Sequence, residues 1–358
     1  MWLHYCIFGV LILLSLLYNP NNKISKKFYI AFVFIIFFIL ATFRAIDIGN
    51  DTQEYYRVFE LIRLKSSLTQ AINFTRYEIG YVVLNYLVGK VTSNFSVVLA
   101  IVASFYLISV LRFIRKYAVS VSNVIILSFT FSMFYDVMNI TRQCISVAIF
   151  LFAVDYLIER KAIKYFSLVV VASLFQTMSI VLLLLYFSPK TDFQKASDVV
   201  KWIGIIGIAL IALGYITQIV QYLFPYYAHY FNTSYAEGGA RSASFLFFII
   251  RIGIVVFIWL LDGFKDFKNF NNEKNVFFQL MLLDCIVAAM SISFNMLDRF
   301  ENFFCLGFII TISNTIGSFK KNKRIFANFM VIFLSFIYIT IFLIFRSNWY
   351  GLFPYHFR

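Results

Sequence analysis

The sequence predicts an all-α polytopic integral membrane protein, with about ten transmembrane helices and two re-entrant or interfacial elements. Two observations carry this. Hydrophobic residues make up 61% of the chain and charged residues only 13%, against about 25% charged in soluble domains. The charges are also bunched. Apolar runs of roughly 20 residues, the length a helix needs to cross a bilayer, alternate with short lysine-rich loops. The formal net charge of +14 is the basic excess that cytoplasmic loops of such proteins collect. It therefore does not point to nucleic acid, and soluble enzyme classes are excluded with it.

The first span is 2–18. It lacks a basic leader and ends in a polar loop, so no cleavable signal peptide is expected. Lys23, Lys26 and Lys27 place the loop 19–27 in the cytoplasm and the N-terminus outside. Span 28–43 returns outward, which makes 44–77 an outer loop. Within it, apolar Tyr55, Val58, Phe59 and Ile62 give 52–68 one apolar face, expected to lie on the outer membrane surface. Residues 78–91 are apolar but short, and carry Gly80, Asn85 and Gly89. If they crossed as well as span 95–111, then Arg112, Arg115 and Lys116 would fall outside. Charge bias therefore makes 78–91 re-entrant or interfacial.

Spans 121–137 and 142–158 follow, joined outside by a turn holding Asp136 and Asn139. Residues 165–187 are interrupted at Phe175, Gln176 and Thr177, with lysines on the cytoplasmic side both before and after. Two half-helices forming a hairpin are expected there. Span 202–224, outer loop 225–243 and spans 244–261, 276–294, 302–319 and 325–345 complete the chain. The turn 295–301 and the C-terminal tail fall outside. The whole, 1–358, reads as a single transmembrane domain.

The four cysteines show no CxxC spacing and the three histidines no HExxH-like pair, so no metal or other cofactor is expected. The informative residues are the arginines. On this topology 15 of the 17 lysines are cytoplasmic, Lys65 and Lys90 excepted. All but four of the 14 arginines lie outside or in the membrane, the four being Arg112, Arg115, Arg160 and Arg324. Orientation alone would treat Lys and Arg alike. What arginine adds is a planar fork that binds phosphate or carboxylate at two points. One reading is an outer cavity that grips phosphate, and the other is snorkelling to lipid headgroups.

Arg44, Arg142 and Arg299 each sit at the outer end of a different span and form a candidate anion clamp; Arg241 is a further outer candidate. Arg251 lies roughly 10 Å into its span at 1.5 Å per residue. It either faces a cavity or pairs with Asp284. Arg57 and Arg63 follow Glu54 and Glu60 by three residues, the spacing of solvated helix pairs. Candidate catalytic carboxylates are Asp51, Asp47 and Glu78. Asp51, with Glu54 three residues on, also fits an N-cap. Tyr55 and Tyr56 suit either sugar stacking or the membrane interface, and Asn139 is a further binding candidate. Asp155 reads as structural.

These residues resemble the signature of the EpsG family, Wzy-like polymerases of bacterial surface polysaccharides. The resemblance rests on Arg44-x4-Gly49-x-Asp51-x3-Tyr55-x3-Phe59, then Glu78-Ile79-Gly80-Tyr81 with Asn85, then Phe113 to Tyr117. It continues through Met138 to Gln143, Arg160-Lys161 with Lys164-Tyr165, Asp298-Arg299-Phe300 and the tail Pro354-Tyr355. One position departs. Family members often carry Phe-His in the hairpin where this chain has Phe175-Gln176, so a role for that histidine does not carry over.

The resemblance implies a GT-C-like, metal-independent glycosyltransferase of the bacterial inner membrane, with its active site facing the periplasm or exterior. The implied donor is a growing glycan on undecaprenyl pyrophosphate, and the acceptor a lipid-linked repeat unit. The lipid bilayer and a chain-length regulator are the implied partners. O-antigen, capsule and exopolysaccharide are its possible products. The alternative reading is a flippase of lipid-linked oligosaccharide, which would also need intramembrane charge and broken helices. Against it, the chain shows no internal repeat and its charge cluster is one-sided. A third class, an O-acyltransferase, calls for a histidine within the membrane, and of the three histidines only His4, near the start of the first span, falls in one, so this class ranks third.

Overall fold

The computed structural model describes residues 2–188, 222, 241–262, 271–292, 297–345, 351–352 and 354–358. Apart from Tyr222, the expected span 202–224 lies outside the described residues, as does most of the expected loop 225–243. Regular structure among the described residues is helical, apart from one isolated antiparallel bridge between Arg44 and Phe357. The chain divides into two compact units, Met1–Tyr186 with Ile332–Arg358, and Phe187–Val331.

The first unit opens with α1 (Trp2–Leu17) and α2 (Lys23–Thr42). The Asn22 side chain accepts from the amides of Ile24 and Ser25, which satisfies donors that a helix start leaves open. Next come α3 (Thr52–Arg63), α4 (Leu68–Phe74) and α5 (Ile79–Val91). The apolar face of α3 was expected against the membrane surface. It instead packs within the protein, where Val58 and Ile62 join Ala71 of α4 and Val82 of α5 in one cluster. Helix α5 has 13 residues, about 20 Å at 1.5 Å each, shorter than a full crossing.

Helix α6 (Ser96–Tyr117) is a full-length span. The expected span 121–137 is not one straight helix. It breaks into α7 (Val121–Thr130) and α8 (Met133–Asn139), bent by 47°. Ser132 makes the break with a left-handed φ of 63°. The Tyr106 hydroxyl of α6 donates to the carbonyl of Met133 at 3.0 Å, tying the start of α8 to α6. The bend re-aims α8 and ends it at Asn139. Helix α9 (Thr141–Ile158) follows.

The expected hairpin is present as α10 (Ala162–Ser173) and a 3₁₀ helix, Thr177–Phe187. The two arms are tied by Tyr165 donating to the Leu182 carbonyl at 2.6 Å and by Arg160 and Tyr186, each donating to the other's carbonyl at 2.9 Å.

The second unit contains α11 (Arg241–Asp262), α12 (Asn272–Ser291) and α13 (Asp298–Ser318). Thr311 of α13 donates to the Phe277 carbonyl of α12 at 2.9 Å. Helix α14 (Lys321–Phe345) begins in this unit and ends in the first.

Seven described helices are long and apolar enough to cross a membrane: α2, α6, α9, α11, α12, α13 and α14. An eighth arises if α7 and α8 count as one bent span. The chain is thus a multi-pass membrane protein.

Candidate functional site

The loop between α2 and α3 carries the first arginine. Arg44 is buried, at 1% exposure. Its guanidinium donates to the Ala41 carbonyl and, through Nε and Nη2, to Thr52 Oγ1 at 3.4 and 3.3 Å. Thr52 Oγ1 donates in turn to the Met138 carbonyl of α8 at 3.0 Å. Every acceptor of Arg44 among the described residues is therefore neutral. Burial pushes its pKa down to about 10, which leaves it cationic at neutral pH. A buried cation without a paired anion is costly to hold and is a strong attractor for an anion.

The loop is clamped on both sides. The Asn50 amide donates to Asn139 Oδ1 at 3.0 Å, so Asn139 holds backbone here. Gly49 has φ +90°, and a Cβ built on it would stand 2.0 Å from the Met138 carbonyl oxygen. Only glycine fits this approach. On the other side lies the C-terminal tail. Gly49 N donates to Gly351 O at 2.9 Å, Ala45 N to His356 O at 3.1 Å and Arg358 N to Phe43 O at 2.9 Å. Asp47 is exposed and lies 3.0 Å from His356 Nε2. The Tyr355 hydroxyl donates to the Leu40 carbonyl at 2.6 Å.

Asp51 occupies the N-cap position of α3, but its side chain makes no capping bond, which corrects the capping expectation. Its Oδ2 instead accepts from the Tyr55 hydroxyl at 3.5 Å. Tyr56 is half-buried, edge-on to Phe95 with 5.8 Å between centroids, and the Arg358 guanidinium lies 5.7 Å from its ring.

The second arginine, Arg142, enters at the start of α9. It forms an ion pair with Glu78, and both side chains are nearly buried, at 12% and 10% exposure. Glu78 Oε1 accepts from the Thr177 amide at 3.2 Å and lies 3.5 Å from its hydroxyl. Glu78 therefore joins Arg142 to the hairpin tip. Gly80 closes the same joint. Its amide donates to the Leu174 carbonyl at 2.8 Å, and a Cβ there would sit 2.8 Å from that oxygen.

The Arg142 guanidinium stands 4.3 Å from the Tyr77 ring centroid and 5.9 Å from that of Tyr55. Tyr55, Tyr77 and Tyr81 meet edge-to-face with centroids 5.5 to 5.8 Å apart. Tyr81 lies within electrostatic reach of both Arg44 and Arg142. Burial, reinforced by Tyr55, raises the Tyr77 phenol above its ordinary range. It stays protonated and can donate a hydrogen bond. Arg142 Nε lacks a hydrogen-bond partner among the described residues, while the guanidinium hydrogen-bonds the Tyr55 side chain as well as Glu78.

At the far ends of α6 and α9, Arg112, Lys116 and the Tyr117 hydroxyl converge on Asp155. This fits the structural role expected of that carboxylate. Arg57 and Arg63 make the expected pairs with Glu54 and Glu60, at 3.9 and 2.7 Å.

In the second unit Arg251 does meet Asp284, at 2.6 Å, and also Glu301 of α13 at 2.7 Å. Arg299 is half-buried in the first turn of α13. Arg241 is the first residue of α11. The structure thus groups Arg44, Arg142, Glu78, Asp47, Asp51, Tyr55, Tyr56 and Asn139 in one unit, and places Arg251, Arg299 and Arg241 in the other. His4, which the sequence left without a setting, is buried on α1 with Nδ1 2.5 Å from the Tyr135 hydroxyl. Sequence reasoning missed Thr52, Tyr77 and Thr177. Thr52 follows Asp51 directly and Tyr77 precedes Glu78, so proximity to the motif was the one available signal.

A sequence model of the EpsG family matches residues 27–357, nearly the whole chain. No curated protein and no solved structure matches it.

Proposed function

The chain belongs to the EpsG family, and we propose that it is a Wzy-like polysaccharide polymerase with a GT-C-like arrangement of helices. Its donor is a growing glycan on undecaprenyl pyrophosphate, and its acceptor a single lipid-linked repeat unit. It works at the outer leaflet of the bacterial inner membrane, with the Arg44 and Arg142 end of the first unit facing the exterior. The observation that carries this reading is the pairing of two arginines at one end of that unit. Among the described residues, one is a buried cation with neutral acceptors, and the other has an Nε donor without a partner.

The chemistry follows from charge. An acceptor hydroxyl oxygen bonds to the donor's anomeric carbon as that carbon's bond to the pyrophosphate oxygen breaks. The electron pair leaves with the pyrophosphate, and preorganised cations stabilise the growing negative charge. The hydroxyl proton passes to a carboxylate. We assign this role to Asp51. Asp47 is held by His356 and Glu78 by Arg142, whereas Asp51 is only loosely tied, to the Tyr55 phenol. Tyr77 and Tyr55 are the candidates for the sugar.

Reconstitution of the full chain with a lipid-linked repeat unit tests the reading. A ladder of chain lengths supports it. Translocation of the labelled lipid without a ladder would replace it with the flippase.

A further inference from the structure

The ion pair between Arg142 and Glu78 sits where the proposed reaction needs a phosphate-binding cation. The pair is not sealed, since both side chains retain about a tenth of their exposure. Arg142 Nε, buried, donates to nothing among the described residues. A guanidinium offers its fork to two oxygens at once, and Glu78 takes only Nη1. Glu78 has a second commitment. Its other oxygen accepts from the Thr177 amide, the first amide of the 3₁₀ arm, at 3.2 Å. Thr177 itself is exposed. One carboxylate thus holds a cation with one oxygen and the tip of a hairpin with the other.

We propose that the Arg142–Glu78 pair is the closed form of a pyrophosphate subsite. Pyrophosphate takes the end-on Arg142 fork through Nη1 and Nη2, displaces Glu78 from Nη1, and so frees the hairpin tip at Thr177. Glu78 is then a positioning residue, an internal anion that holds the site until a stronger one arrives. The exchange is favoured by charge, because pyrophosphate is multiply charged and accepts at two points where Glu78 accepts at one. Arg44, buried in the same unit with neutral acceptors, adds to the pull. The tyrosines around Arg142 keep water from screening it. The inference rests on the polymerase reading for the identity of the anion. The exchange itself needs only a phosphate group.

Hydrogen–deuterium exchange of the full chain in phosphatidylcholine nanodiscs tests it, read on peptides covering 174–181 with and without inorganic pyrophosphate. The expected result is a rise in exchange at the Thr177 amide, about tenfold, on adding pyrophosphate. Glu78→Gln keeps an acceptor for that amide and removes the competing charge. It should bind pyrophosphate about tenfold more tightly, a difference of about 1.4 kcal/mol, and Arg142→Gln should lose both responses. No change at 174–181 in wild type at saturating pyrophosphate overturns the proposal, and so does equal or weaker binding by Glu78→Gln. A third arm uses nanodiscs containing phosphatidylglycerol without pyrophosphate. An equal rise there would assign the site to lipid headgroups and overturn the pyrophosphate subsite. The wild-type comparison needs no variant to fold. A positive exchange result with no polymer ladder would retain the subsite and remove the polymerase.

Discussion

Two buried arginines of this protein sit in opposite electrostatic settings. In the second unit Arg251 is clasped by Asp284 and Glu301, with side-chain exposures of 4%, 0% and 10%. Carboxylates outnumber the cation, and three helices are pinned through one point. In the first unit the balance is reversed. Among the described residues the acceptors of Arg44 are neutral, and Arg142 pairs with one carboxylate, Glu78. The lesson is that depth alone does not mark a functional charge. Arg251 is at least as deep as Arg142, but its guanidinium is already met by carboxylates on two sides, as a structural clasp requires. A cation that outnumbers its anions retains capacity for a ligand.

The largest expected effect breaks the clasp. Arg251→Ala leaves two carboxylates buried without their cation and should destabilise the fold by about 3–5 kcal/mol, read as a fall in thermal midpoint in detergent. A small fall would mean the clasp is not structural and would return Arg251 to the binding candidates.

The next effects sharpen the other region. Gly49→Ala drives a Cβ toward the Met138 carbonyl at a φ of +90° and should cost about 1–3 kcal/mol, with loss of polymer product as the loop shifts. Thr52→Val removes the hydroxyl between Arg44 and Met138. It should cost about 1–3 kcal/mol and lower activity per folded molecule, since Arg44 loses its orienting acceptor. The smallest effect is the control. Arg57 pairs with Glu54 at 3.9 Å on an exposed face, and Arg57→Ala should change neither melting nor polymer yield measurably.

Much of the fold was legible because hydropathy and charge bias act locally along the chain. The hairpin could be read from Phe175-Gln176-Thr177 flanked by lysines, and α5 from its glycines and short length. The break at Ser132 could not. Scattered Ser and Thr are common in apolar spans, and one left-handed serine among them leaves no pattern. The partner of Arg142 was equally hidden, because Glu78 is 64 residues away. The tail docking on the Arg44 loop joins positions more than 300 residues apart, beyond any periodicity. Asp51 misled for a different reason. Its spacing to Glu54 fits a capping box, yet its backbone takes a helical ψ of −8° and its side chain turns to Tyr55.

The central claim is that the arginine fork of the first unit, and not merely its charge, serves the transfer reaction. The direct measurement is polymer ladder yield per folded molecule for Arg142→Lys against wild type, in liposomes with a lipid-linked repeat unit. Lysine keeps the cation and loses two-point contact. The account predicts a fall of about 10²-fold, the scale of removing one preorganised donor from developing charge. Full activity in Arg142→Lys would contradict it.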